Sequence, residues 1–527
     1  MGSAGSRPRR SLAAIPETIT IRNLTITPLE LKLVERLEPP VFFHHPPHHS
    51  EGNDGFANNI TRMIVGRGRS PPSNKTEGEG QQQQDNDNDD FVFHPHHPGG
   101  RPRVVTASQD LGVSLAPFTE SPTTIFPPLE AHQHSGEQLR LTFEEPNSNG
   151  QGRYTCEIPG LSEKSIELTF IGDNNAHAKE FTAIYLPHLA YIALFSSAQL
   201  SSWMSKLPDE IPLSSLSIPG THNSPTCHVA LPSVRCQAVS VTEQLENGVR
   251  FLDVRVNCPG LDLDGQDKKP ELALVHAAFP IALSGARYLS GLLEEVYGFL
   301  EERPSETVMM SLKREGTGRG SDQLFGEVLK RWYLTPEKWY TRARIPSLGE
   351  VRGKVVLVRR FHSDFGGDEG GIDGSVWPDN VADGVCGSGR IRIQDFYEVG
   401  RVEQIEHKIE YACQELQRSA KMCLPLPCGV EELQAHRDKE PLYINFLSAS
   451  SFFNSSLWPD RIAGKVNPRM VEYLCRNHAV EGRGSLEDKV VGDAATGVVV
   501  TDWVGHGGDW DLVRCIVGWN ARLQLKV

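Results

Sequence analysis

Two histidines, an arginine and two aspartates carry the chemistry open to this sequence. His222 stands in SLSIPGTHNS (215–224), Asp253 and Arg255 end VRFLDVR, His276 ends LALVH, and Asp502 follows VVVT. Such a set suits displacement at phosphorus without a metal. One imidazole takes the proton of an attacking hydroxyl, the other protonates the leaving oxygen, and the guanidinium offsets charge on the phosphoryl oxygens. A carboxylate is needed to orient the first imidazole. A lone histidine at a strand end is more often a structural residue, so the argument rests on the set and on its convergence.

Convergence requires a scaffold. From about residue 205 short apolar runs alternate with amphipathic stretches, the pattern of an α/β unit. The expected strands are 214–218, 250–256, 272–276, 307–313, 354–360, 391–395, 442–448 and 497–502, about the count of a (β/α) barrel. Expected helices include Tyr288 to Glu302, where leucines recur on one face before Pro304, and Val402 to Ser419. In such a barrel reactive groups sit at the carboxyl ends of strands. His222, Asp253, Arg255, His276 and Asp502 are expected there. Arg250, on the same strand as Arg255, is expected to be structural.

Several strings resemble the bacterial type of phosphatidylinositol-specific phospholipase C and its fungal relatives. These are SLSIPGTHNS, QLENGVRFLDVR (244–255), LALVH (272–276), RPSETVMMSLKRE (303–315), GKVVLVRRF (353–361), WPDN (377–380), IQDFY (393–397), LYINFLSAS (442–450) and VVVTDW (498–503). The resemblance spans roughly residues 205–525, and IPGTH followed by VRFLDVR is its most specific part. It implies a distorted TIM-type barrel that cleaves phosphatidylinositol, or a glycosylated form of it, to diacylglycerol and an inositol phosphate, with the inositol 2-hydroxyl as internal nucleophile. It further implies that His222 is the base oriented by Asp502, that His276 is the general acid, that Arg255 lies on the phosphate, and that Lys313, Arg360 and Asp379 hold the inositol ring. For these last three, ion pairing on the barrel rim is the competing reading.

One position departs from that pattern. Bacterial members usually carry Asp after the first histidine, and this chain has Asn223, as in the calcium-dependent animal enzymes. An amide oxygen is a calcium ligand, but Arg255 stands where those enzymes place an acidic ligand, so metal-independent catalysis is expected, with Ca2+ as the alternative. The other readings are a scaffold that keeps the barrel without turnover, and a glycerophosphodiester phosphodiesterase, which needs acidic metal ligands not found at the matched positions.

The rest of the chain sets boundaries. A net charge of -14 argues against nucleic acid and gives no general attraction to anionic lipid, so an inositol phospholipid at a membrane surface must be met locally. Residues 183–195 form the longest nearly apolar run, too short to span a bilayer. Residues 1–15 lack a secretory core and are expected to be a disordered tail, with Gly2 and Ser6 fitting a myristoylation pattern beside Arg7, Arg9 and Arg10. That suggests a cytoplasmic protein held peripherally on membranes. Residues 16–200 alternate like half-buried strands and are expected to form an antiparallel β-sandwich-like domain, interrupted over about 44–110 by a disordered, His-, Gln- and Asp-rich insertion. No motif names a partner for that domain. The catalytic barrel is expected over 205–527. Ten scattered Cys form no disulfide or zinc pattern.

Overall fold

The computed structural model describes residues 18–38, 104–128, 136–148, 150–160, 165–172, 178–263, 267–424, 439–479 and 492–526. Gly2, the His-Pro clusters and the Gln run lie outside the described residues.

The alternation at Leu29–Leu37 becomes a strand whose buried side chains face one way, with an irregularity between Leu31 and Leu33. It belongs to a five-stranded antiparallel sheet ordered 105–115, 29–37, 138–144, 153–158, 169–170. A second five-stranded sheet runs 119–122, 20–23, 191–195, 182–186, 166–167. Ile21, Ile192 and Leu194 of the second sheet share one core with Leu31, Leu141, Phe143 and Tyr154 of the first. Two expectations change here. Val105–Leu115 is a strand, so an insertion reaching to residue 110 is too long at that end. Thr20–Asn23 pairs parallel, not antiparallel, with Tyr191–Phe195, because segments so far apart in sequence are free of hairpin geometry.

Beyond residue 205, among the described residues, seven strands of four or more residues run parallel in the order 355–360, 308–314, 251–257, 217–221, 497–501, 442–446, 391–394. Two-residue strands at 372–373 and 384–385 extend its ends, and Gly374 meets Ile391 across the unbonded gap between them. The inner side chains Ile218, Phe251, Met309, Val356, Val358, Ile393, Ile444, Val498 and Val500 pack as one cluster. On the outer face Leu252, Val254, Met310, Leu312 and Leu357 meet the helix Leu289–Glu302, whose apolar stripe is buried as its spacing predicts.

The expected strand 272–276 is not part of this parallel series. Ala273–His276 pairs antiparallel with Phe251–Asn257 and continues into Phe279–Pro280. Among the described residues no helix separates it from the preceding strand, and a parallel return needs a crossover of a dozen or more residues. The first strand is also shifted, from 214–218 to Ser217–Thr221, which brings its end to His222.

The two halves share packing. Leu24, Tyr191, Ala193 and Phe195 join Val466, Met470, Leu474, Ile516 and Trp519 in one apolar cluster. Buried Arg22 donates to the carbonyls of Cys475 (3.0 Å) and His478 (3.1 Å) and lies over the Trp519 ring. No helix among the described residues is long and apolar enough to cross a membrane.

Candidate active site

Strand periodicity explains why polar groups collect at one end of this apolar interior. Alternate residues share a face. Following inward Phe251 places Asp253 and Arg255 inside; following Met309 places Ser311, Lys313 and Glu315 there; following Val358 places Arg360; following Val500 places Asp502; following Ile218 and Gly220 places His222. The lower part of each strand supplies core and its carboxyl end supplies chemistry. Gly220 is needed beneath His222, since a Cβ there would come within 3.0 Å of Phe251 Cβ.

His222 Nδ1 lies 2.9 Å from Asp502 Oδ1, and Arg255 Nη2 lies 2.9 Å from His222 Nε2. Arginine has no acceptor, so Nε2 must be the unprotonated nitrogen and Nδ1–H donates to Asp502. The imidazole is therefore neutral with its lone pair facing the site, the form a general base requires. Asp502 is buried; burial raises its pKa, while His222, Arg255 and Lys408 pull it back. Gln237 Nε2 donates to the carbonyls of His222 (2.7 Å) and Thr501 (3.0 Å), fixing the two strand ends against each other.

Arg255 is held on both sides. Its Nε and Nη2 donate to Asp253 Oδ2 at 3.3 Å, and its Nη1 donates to Glu315 Oε1 at 3.2 Å. Asp253 also accepts from the Asn223 amide at 3.2 Å and from Arg360 Nη1 at 3.3 Å. Burial opposes ionisation of Asp253, but Arg255 and Arg360 hold it well below the ordinary aspartate value. Arg360 lies 3.7 Å from the centroid of Trp377, a cation–π contact at the carboxyl ends of the parallel strands.

His276 reaches the same mouth from its antiparallel hairpin, with ring centroids 5.8 Å from His222. Its Nδ1 donates to Val234 O at 2.8 Å, leaving Nε2 as the free nitrogen. Burial, with Arg255 and His222 nearby, pushes its pKa down to about 3.

Of the residues singled out in the sequence, the structure brings His222, Asp253, Arg255, His276, Lys313, Arg360 and Asp502 together. Lys313 Nζ is 3.0 Å from Glu315 Oε1. Asn223 contributes through its backbone, in a left-handed turn (φ 46°) that asparagine tolerates. Its buried amide side chain has no hydrogen-bond partner among the described residues. Asp379 is exposed and accepts from Tyr397 Oη at 2.8 Å; no contact joins it to the histidines. Arg250 is structural, as expected, in a fully buried pair with Glu306.

Sequence reasoning missed Glu315 and Gln237. Glu315 binds Arg255, Lys313 and the Ala277 amide; burial would raise its pKa, but Arg255 and Lys313 bring it to about 2. Strand parity could have found it, since Glu315 lies two places beyond Lys313. Cys236 Sγ lies 3.7 Å from His276 Nδ1, and with both histidines it forms the one His/Cys/Asp/Glu cluster of metal-binding geometry among the described residues. That is a soft donor set, unsuited to calcium. The hard donors Asp253 and Glu315 are already bound to cations.

Residues 210–361 match the family model of the phosphatidylinositol-specific phospholipase C X domain. A 1-phosphatidylinositol phosphodiesterase of Listeria monocytogenes is 34% identical over 178 residues, 32% of this chain and 51% of that relative, so the match spans about half of it. A protein of the same name from Staphylococcus aureus is 26% identical over 356 residues, 63% of this chain and 98% of the relative. The solved phosphatidylinositol-specific phospholipase C of Listeria monocytogenes aligns with a TM-score of 0.43 at 23% identity, covering 61% of this chain and 99% of that one. Residues 210–361 thus match the X domain of phosphatidylinositol-specific phospholipase C, and the chain is similar to bacterial proteins of that type.

Proposed function

We propose that the barrel-like unit cleaves phosphatidylinositol by acid–base catalysis at phosphorus. The observation that carries this reading is the neutral His222, fixed by Asp502 on one nitrogen and facing Arg255 with the other. A phosphodiester seated on Arg255 takes over its Nη2 hydrogen bond and frees His222 Nε2 to accept the proton of the inositol 2-hydroxyl. The alkoxide oxygen bonds to phosphorus, the bond from phosphorus to the glycerol oxygen breaks, and His276 Nε2–H protonates that oxygen. Diacylglycerol and a cyclic inositol phosphate result, and reversal of the proton roles lets water open the ring.

His276 is neutral in the free enzyme, so the substrate must help to charge it. An anion about 4 Å away is worth roughly 4 kcal/mol at an effective dielectric near 20, or about 3 pK units. That lifts His276 from about 3 towards neutrality when the phosphate binds. The acid is made by its own substrate.

The finer architecture we read as a distorted TIM-type barrel preceded by a sandwich-like β domain. Phosphorus NMR of phosphatidylinositol vesicles treated with the protein is expected to show cyclic inositol phosphate first, at a rate unchanged by a calcium chelator. Release of free inositol without a phosphorylated product would overturn the reaction type, and loss of rate with chelator would overturn its metal independence.

The lipid is met at a membrane surface through apolar side chains around the mouth. Phe453 is 96% exposed and Phe452 stacks on Phe279 at 5.5 Å. Exposed Leu283 bonds through its amide to the carbonyl of exposed Val229. Three loops thus present one apolar rim, which suits a chain too acidic to be drawn to anionic lipid by charge. Phe453→Ser is expected to weaken binding to phosphatidylcholine vesicles containing phosphatidylinositol by about 10-fold, the worth of burying one such ring. Sedimentation with vesicles reads this directly, and equal binding by the variant would refute the rim.

A further inference from the structure

Lys408 is a fully buried lysine outside the cluster described above. It projects from the helix Gln404–Ala420, and its Nζ bonds to Gln394 Oε1 at 3.1 Å. Gln394 and Asn445 face outwards from the sheet, opposite in parity to Ile393 and Phe446. Gln394 Nε2 in turn donates to Asn445 Oδ1 and to the carbonyl of Phe446, both at 2.8 Å. The Phe446 ring stands edge-on to His222 with centroids 6.2 Å apart. Among the described residues no carboxylate touches this ammonium; such a buried charge is costly and is tolerated where a function uses it.

The charges around Lys408 make sense of it. The acidic groups whose field reaches it are Asp395 and Asp502. Asp395 accepts from Trp377 Nε1 and faces Arg360; Asp502 faces His222 and Arg255. Asp502 has to stay ionised although it is buried, and it meets the imidazole from the inner side of the sheet. Lys408 supplies positive charge from the other side.

We propose that Lys408 is a positioning residue for the His222–Asp502 pair: its charge balances Asp502 through the sheet, and its link to Gln394 fixes the backbone of Phe446 behind the imidazole. This rests on His222 acting as the base. Burial lowers the Lys408 pKa to about 7, so the support weakens as pH rises through neutrality.

The test compares the intact protein with Lys408→Met, which keeps the volume and removes the charge. Loss of a nearby positive charge favours protonation of the pair. The His222 imidazole, followed by NMR, is therefore expected to titrate about half a unit or more higher in the variant. The acid limb of kcat/KM should move up by a similar amount, and kcat should fall about 10-fold with little change in KM. The melting temperature is expected not to fall, since an apolar side chain of similar volume replaces a buried cation. If the methionine variant does not fold, Lys408→Gln carries the same comparison. Identical imidazole titrations in parent and variant would overturn the role of Lys408. Absence of turnover in the parent would overturn only the phospholipase reading, because the titration needs no substrate.

Discussion

His222→Ala is expected to lower turnover of phosphatidylinositol by on the order of 10^4, the scale seen when a base–orienter unit is disabled in other hydrolytic sites. The size follows from the geometry. The variant loses the nitrogen that the proposed mechanism uses to take the nucleophile's proton, and Asp502 is left buried without the donor at 2.9 Å that offsets its desolvation. Arg255 keeps Asp253 and Glu315, so phosphate binding survives and the loss falls on kcat rather than KM. Asp502→Asn should come close to the same loss by a different route: an amide that donates to Nδ1 forces the proton onto Nε2 and removes the lone pair. Steady-state kinetics on mixed vesicles measures both. Retention of more than about a tenth of the parent rate in His222→Ala would remove His222 from the mechanism.

The second large effect concerns stability. Glu306→Ala is expected to destabilise the protein by about 3–5 kcal/mol, because it strands a buried guanidinium. Arg250 and Glu306 are both 0% exposed and meet at 2.9 Å. Arg250 also donates to the carbonyls of Leu245 (2.6 Å) and Ser201 (2.7 Å) and lies over the Phe299 ring. None of these partners can carry its charge. The double variant Arg250→Met, Glu306→Leu should recover most of the loss, as neither residue then needs water. Denaturant unfolding reads both, and a loss below about 1 kcal/mol in Glu306→Ala would show that the pair is not desolvated in solution. Arg250 immediately precedes the strand Phe251–Asn257 that carries Asp253 and Arg255, so this pair anchors the start of the catalytic strand without touching the chemistry.

Much of the site was legible because reactive groups of a (β/α) unit gather at the carboxyl ends of its strands, which placed His222, Asp253, Arg255, His276 and Asp502 together, while Lys313 and Arg360 rested on the resemblance alone. Pairing direction was not legible. The run LALVH reads equally well as a parallel or an antiparallel strand, and only the missing crossover helix distinguishes them. The parallel pairing of Thr20–Asn23 with Tyr191–Phe195 was hidden for a similar reason, since no local signal records a partner so distant in sequence. Lys408 escaped notice because a lysine in an amphipathic helix is normally solvated. Asp379, which the resemblance set on the inositol ring, lies exposed and accepts a hydrogen bond from Tyr397.

The Arg22 clamp bears on how the molecule is made. Its acceptors, the carbonyls of Cys475 and His478, and its aromatic cover, Trp519, are more than four hundred residues downstream. During translation the segment around Arg22 leaves the ribosome long before these groups exist, and at about 5–20 residues per second the wait is tens of seconds. Throughout that interval the guanidinium and the apolar residues beside it lack their final cover. The nascent chain therefore has a window in which a holdase is useful, and the window closes only when the helix that ends at Arg476 and the turn at Trp519 have emerged.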